Sequence, residues 1–227
     1  LFRRPEFTLA LVAAMTSNMS KIGSMTLALL YFQGIHGQTA FAAGLQVMPM
    51  AVVVLLASLL VGRVVARFDE IDTGVTATII STLGLGATMI AIRFGGPGLS
   101  LSVTLGFIGL GVGLLAPINS SMVMKAAPGD RAGSVNGARM TLMTIGSMTS
   151  TALGLSLLAG GVSTSVAQNF FSGHHDELTP ADIDALTTGY EHAYGFLFVM
   201  MLVAVGTSIA FRRIERRRGR QSGRMGT

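Results

Sequence analysis

Two basic residues, Lys21 and Arg139, fall inside long apolar stretches, where a charge needs a reason to be. Lys21 lies 14 residues beyond Phe7, about 21 Å along a helix and out of easy reach of the near interface. A charge at the centre of a membrane helix costs about 2.5–3.5 kcal/mol on insertion scales, so it should face protein or water and have a partner. Ser17, Ser24 and Tyr31 share its helical face, and Asn18 is close enough along the helix to hydrogen-bond an ammonium. The chemistry this suggests is substrate or ion handling; the alternative is a lysine that is merely tolerated. Arg139 lies nearer the end of its stretch, so snorkelling to the interface competes with a functional role. No Asp or Glu lies in any apolar stretch. The counter-charge for Lys21 must therefore be a substrate, a carboxylate from elsewhere, or water. Together with Lys21, the polar residues Asn18, Ser24, Gln33, Asn119 and Thr144 are the candidate substrate contacts.

Other chemistry-bearing patterns are weaker. His174, His175, Asp176 and Glu177 offer metal-ligand types, but adjacent residues in a polar loop rarely converge on one ion, and no metal is expected. The run GLGVG at 109–113 sits inside an apolar segment, not between a strand and a helix, and no acid follows at the distance a nucleotide loop requires. With no cysteine in the chain, disulfides, thiolate metal sites and thiol catalysis are excluded. No cofactor is called for.

The elements that must position these residues are six apolar stretches, at 8–33, 43–66, 74–92, 99–124, 134–162 and 192–211. Half the chain is hydrophobic, 12% is charged and the mean hydropathy is +0.62, which does not suit a soluble domain. Each stretch is near or above the roughly 20 residues that cross a bilayer, and each is too long and continuous for a barrel strand. Helices keep their backbone groups satisfied there. The expectation is an all-α polytopic protein with six transmembrane helices over 1–211 and a basic tail over 212–227.

Charge assigns the sides. Arg3, Arg4, Arg63, Arg67, Lys125, Arg131 and seven tail arginines share one face, against Arg93 on the other. The positive-inside bias makes the first face, and both termini, cytoplasmic. The pI of 10.4 invites a nucleic-acid reading, but seven of the 16 basic residues directly follow the last span, where they anchor a helix end to anionic lipid. No nucleic-acid partner is expected. The N-terminal run is too long for a signal peptide and has no convincing cleavage site. The chain begins at Leu1 rather than methionine, which raises the expectation of further sequence upstream. In the outer loop, Thr179, Pro180 and Asp182 predict the start of a short surface helix whose acids form a solvated face.

Helical spacing aligns small and polar residues: Ala10, Ala14, Ser17, Lys21 and Ser24 in span 1; Ser102, Gly106, Gly109, Gly113 and Pro117 in span 4; Gly137, Thr141, Thr144, Ser147 and Thr151 in span 5. Small residues let helices approach and hydroxyls bond across the contact. Tight packing explains most of these positions, and a water-filled cavity would explain why some are also polar. The 14 methionines are core filler or an adaptable ligand surface.

Three segments carry a family resemblance. In LYFQGIHGQTAFAAGLQVMP they are Gln33, Gly37, Gly44, Leu45 and Pro49; in GRVVARFD, Gly62, Arg63, Arg67 and Asp69; in the run from Gly109, Gly113, Pro117, Pro128, Arg131, Gly133 and Gly137. Together they resemble the C-terminal half of a major facilitator superfamily transporter, closest to the 14-spanner drug:proton antiporters. The resemblance covers about 1–162 well and the remainder by hydropathy. It implies half of a multidrug or small-organic-molecule efflux transporter working by alternating access in the bacterial cytoplasmic (inner) membrane. Its partners would be a small organic substrate, protons, the lipid bilayer and an N-terminal half encoded upstream or as a separate subunit. The family's binding cavity lies between two halves, with its coupling carboxylates mostly in the first. Two departures stand out: Lys21 has no place in the family pattern, and MTLMTIGSMTST follows Gly137 where further glycines are usual. Met-rich and hydroxyl-rich faces suit a cationic or amphipathic substrate, whereas Lys21 argues for an anionic or neutral one. A membrane remnant or scaffold without transport remains the alternative. An integral membrane enzyme is disfavoured, because the spans hold no catalytic carboxylate, histidine or cysteine cluster.

Overall fold

The computed structural model describes residues 5–95, 98–125, 132–172 and 179–224. Among them are seven helices and no strand: α1 Pro5–Gly34, α2 Ala40–Arg67, α3 Glu70–Arg93, α4 Gly98–Lys125, α5 Ala132–Ala159, α6 Thr164–Ser172 and α7 Pro180–Arg224. Arg131, Pro128 and the His174–Glu177 run lie outside the described residues.

Local chemistry sets the helix ends. Gly37, at φ +60°, supplies the left-handed residue that turns the chain after α1, and Gly95, at φ +59°, does the same after α3. The Thr39 hydroxyl accepts the Ala42 N–H at 3.3 Å and caps α2. Glu70 and Asp72 occupy the first turn of α3, where acids complement the helix dipole. At α7 the Asp182 carboxylate accepts the Thr179 N–H at 2.9 Å, and the Asp182 N–H returns a bond to the Thr179 hydroxyl at 3.3 Å. This reciprocal cap starts the helix where Thr179 and Pro180 predicted it.

The helix it starts is not the short surface element expected. α7 runs unbroken for 45 residues, through the last apolar stretch and the basic segment to Arg224. Its first turns are not simply a solvated face either: Leu186 and Tyr190 are buried, and Glu191 pairs with Arg93 at 3.1 Å. The nine-residue α6, which packs Phe170 against Tyr190, was not foreseen.

Five helices are long and apolar enough to cross a membrane: α2, α3, α4, α5 from Gly133, and α7 through Arg216. The protein is an integral membrane protein. α1 has the length, at 30 residues, but the polar run Thr16, Ser17, Asn18, Ser20 and Lys21 keeps its middle from matching the others in apolarity. The five apolar helices alone therefore do not establish a six-span count.

Sequence neighbours are not always the main packing partners. α1 packs most heavily on α7 and α5, whereas α4 packs on α3 and α2. Taking α1, α2 and α3 as one set and α4, α5 and α7 as another, the first helix of each lies chiefly among the second and third of the other. Close approach comes from glycine. A Cβ at Gly109 would lie 2.6 Å from the Met50 carbonyl oxygen, and one at Gly113 2.7 Å from that of Val54, so α4 meets α2 backbone to backbone. Hydroxyls and amides stitch the seams: Ser58 donates to the Gly113 carbonyl at 3.0 Å and Ser150 to that of Met19 at 2.8 Å. Lipid offers little hydrophobic drive between helices, so such packing and hydrogen bonds, averaging about 0.6 kcal/mol each, carry the association.

The buried threonines of α3 are accounted for by local hydrogen bonds. Thr78 and Thr82 each donate to the carbonyl four residues back at 2.8 Å, so their hydroxyls are satisfied within their own helix, while the Thr88 hydroxyl lies within bonding distance of both the Gly84 carbonyl at 2.9 Å and the Thr104 hydroxyl of α4 at 3.0 Å.

Candidate functional site

A cavity of about 60 Å³ lies between α1, α4 and α5. α1 lines it with Ala14, Ser17, Asn18 and Lys21, and α4 with Val112, Leu115, Ala116 and Asn119. Both sets follow the i, i+3, i+4, i+7 spacing of one helical face. Arg139 and Met143, one turn apart, complete it from α5. Lys21, Asn18 and Asn119, three of the six candidate contacts, are thus brought together, and Arg139 joins them.

The polar groups here are unequally employed. The Asn18 amide donates to the Met143 carbonyl at 2.8 Å, tying α1 to α5 rather than holding the lysine. The Ser17 hydroxyl donates to the Ala13 carbonyl at 2.6 Å. Lys21, by contrast, has no ion pair or hydrogen bond among the described residues, and nor do the side chains of Arg139 and buried Asn119. Arg139 is only 7% exposed, and its Nε is buried without an acceptor. Instead of snorkelling free, its side chain is enclosed. The sequence signal was the one that singled out Lys21, a basic residue in a stretch without acids; its position nearer the span end masked it.

The other three candidates sit elsewhere. Ser24 is fully buried toward α7, where the Tyr194 hydroxyl donates to its carbonyl at 3.2 Å. Tyr31, on the same face in the sequence, packs edge-on to Tyr190 with ring centroids 5.1 Å apart. Gln33 bonds back to Leu29 of its own helix at 3.3 Å. Thr144 is exposed, and its hydroxyl returns to the Met140 carbonyl at 3.0 Å.

The motif residues divide in two. Gly109 and Gly113 form the α2–α4 contact, and Pro117 lies within α4. Gly44, Gly62, Gly133 and Gly137 are exposed, and a Cβ on any of them would meet nothing within 4 Å. Pro49, Arg63 and Asp69 are exposed too. At the end of the bundle where Asp69 lies, Asp72 pairs with Arg212 at 2.6 Å and Arg216 at 2.8 Å, and Glu70 pairs with Lys125. These contacts gather the start of α3 and the ends of α4 and α7. No group of three or more metal-ligand residues occurs among the described residues.

The chain is 32% identical over 127 residues to the methylenomycin A resistance protein of Streptomyces coelicolor, covering 56% of this chain and 26% of that protein. It is 31% identical over 170 residues to the multidrug resistance protein Stp of Mycobacterium tuberculosis, covering 73% of this chain and 30% of that one. A tetracycline resistance determinant of Streptomyces rimosus matches at 25% over 164 residues, 70% of this chain and 46% of that protein. The chain therefore spans between about a quarter and under half of these relatives. The family profile described as Major Facilitator Superfamily matches residues 1–151, about two thirds of the sequence. The chain belongs to the Major Facilitator Superfamily.

Proposed function

We propose that this chain is the C-terminal six-helix half of a proton-coupled efflux transporter, with α1 as the sixth span. The observation that carries this reading is the match to drug-resistance proteins over a quarter to under half of their length. The exchanged packing of α1 and α4 supports it, because six-helix halves of this superfamily are built from two inverted three-helix repeats. Exposed glycines on α2 and α5 support it further. Glycine costs a helix about 1 kcal/mol relative to alanine, and a Cβ on these would meet nothing within 4 Å among the described residues. They suit close approach by helices of an N-terminal half, whether upstream or a separate subunit.

In this reading both termini and the Asp72 cluster are cytoplasmic, the host membrane is the bacterial cytoplasmic membrane, and residues 212–227 anchor to anionic lipid. The pocket at Lys21 and Asn119 lies toward the substrate path, and an amphipathic organic molecule leaves in exchange for protons whose coupling carboxylates sit in the other half. Membership in a transporter superfamily speaks against the enzyme reading.

The test is reconstitution. Co-expression with a matching N-terminal six- or eight-span half should give proton-driven transport in liposomes, which the purified chain alone should lack. Uptake by the chain alone would overturn the half-transporter reading, and inactivity with every matching partner would favour a scaffold or remnant. Cysteines introduced singly at Ser172 and Ser222 should label from outside and inside respectively; the opposite pattern would sink the topology.

A further inference from the structure

We propose that the pocket between α1, α4 and α5 binds a carboxylate, with Lys21 and Arg139 as its counter-charges. Two cations from different helices line one small cavity, and neither has an acid among the described residues. Bringing like charges into a membrane core is unfavourable unless an anion joins them. Arg139 sharpens the case, because the residue is only 7% exposed and its Nε is buried without an acceptor.

The donor balance selects the ligand. Lysine offers three donors and no acceptor, arginine five in a planar fork, and the unbonded Asn119 amide two more against its one acceptor oxygen. The Asn18 amide and the Ser17 hydroxyl already donate to backbone carbonyls. A surplus of donors calls for a group that only accepts, which is what an ionised carboxylate does. A monoanion fits better than a dianion, since the cost of taking an ion out of water rises with the square of its charge.

Size limits how much of the ligand enters. Drug-sized ligands occupy pockets of about 300–1,000 Å³. The cavity of about 60 Å³ holds a carboxylate head and leaves the organic body outside it. Asn119 is a positioning donor here, and Met143 an adaptable apolar wall. The carboxylate could belong to the carried molecule or to a side chain of the other half. Only that question of source rests on the transporter reading; binding by this chain does not.

The experiment uses the 227-residue chain in nanodiscs of zwitterionic lipid, with benzoate as probe and benzamide as its uncharged match. Benzoate should raise the unfolding midpoint in a concentration-dependent way, and benzamide should not. Lys21→Met and Arg139→Gln should each weaken benzoate binding about tenfold or more, the loss of one charge-assisted hydrogen bond. Lys125→Met, whose partner is Glu70, should leave it unchanged. Equal responses to the two probes, no response to either, or unaltered benzoate binding in both pocket variants would overturn the proposal. Should those variants misfold, Asn119→Asp keeps both cations and supplies a carboxylate from α4. Benzoate should then have no effect, and a full benzoate response in Asn119→Asp would equally overturn the site. Adding the N-terminal half distinguishes the sources: benzoate binding persists if the carboxylate is carried, and disappears if the other half supplies it. Benzoate binding without transport by the joined halves would count against the transporter reading alone.

Discussion

Charge is handled in opposite ways at two places in this bundle. At the end where α3 begins, acids and bases are matched: Asp72 holds Arg212 and Arg216, and Glu70 holds Lys125. In the pocket, Lys21 and Arg139 share a cavity with no acid among its lining residues. The matched groups are partly exposed, where solvent and salt screen them and each pair contributes little. The unmatched ones lie in a helix middle and in a buried seam, where screening is weakest. A fold that placed charge for stability alone would do the reverse. The end cluster is explained as structure, and the pocket holds two cations with no acid among the described residues that line it.

That contrast predicts opposite signs on neutralising the two regions, and steric disruption sets the scale. Gly113→Leu should have the largest effect, because the new side chain meets the backbone of Val54 and must separate α2 from α4. A loss of about 1–3 kcal/mol or more, seen as reduced folded yield and a lower unfolding midpoint, is expected. Normal yield and midpoint would show that the seam tolerates expansion.

Lys21→Met should raise the midpoint of the unliganded chain, because it removes an uncompensated charge; the insertion-scale cost of about 2.5–3.5 kcal/mol is a ceiling on the gain. In the joined transporter the same variant should lose or alter transport while inserting normally. A lowered midpoint with intact transport would erase the distinction between the two regions.

Asp72→Asn should act the other way and more weakly. It breaks two ion pairs, but the Asp72 side chain is 36% exposed, so about 1 kcal/mol or less per pair is expected. Half-molar salt should shrink the difference from the parent protein, and a salt-independent loss would mean the cluster is more enclosed than its exposure suggests. Glu70→Gln should be smallest of all, since it removes one pair whose lysine is mostly exposed. A larger loss than for Asp72→Asn would reverse their order.

Helix positions were largely legible in the sequence, for a physical reason. A bilayer-crossing helix needs an uninterrupted apolar run, and glycine, proline and charged residues punctuate such runs at Gly37, Asp69 and Gly95. The cap at Thr179 and Asp182 was legible too, because it depends on residues three apart. What followed that cap was not. Local chemistry starts a helix but does not say how far it runs, so α7 continued through what was expected to be a loop. The aligned hydroxyls of span 5 proved ambiguous in the same way, since Thr141 and Thr144 satisfy themselves on their own backbone.

The sequence by itself determined an all-helical membrane chain, the isolation of Lys21 from any acid in the spans, and the glycines on which α4 packs. Composition and spacing are enough for these, because lipid penalises unpaired backbone and uncompensated charge wherever they occur. Only the tertiary structure decided that α1 packs among α5 and α7, that the Ser24 carbonyl meets the Tyr194 hydroxyl, and that Arg139 is enclosed beside Lys21. Small-residue faces on different helices look alike in sequence, so which of them meet depends on the shape of the whole bundle. A long basic side chain can snorkel or turn inward from the same backbone position, and only the helices packed around it settle which.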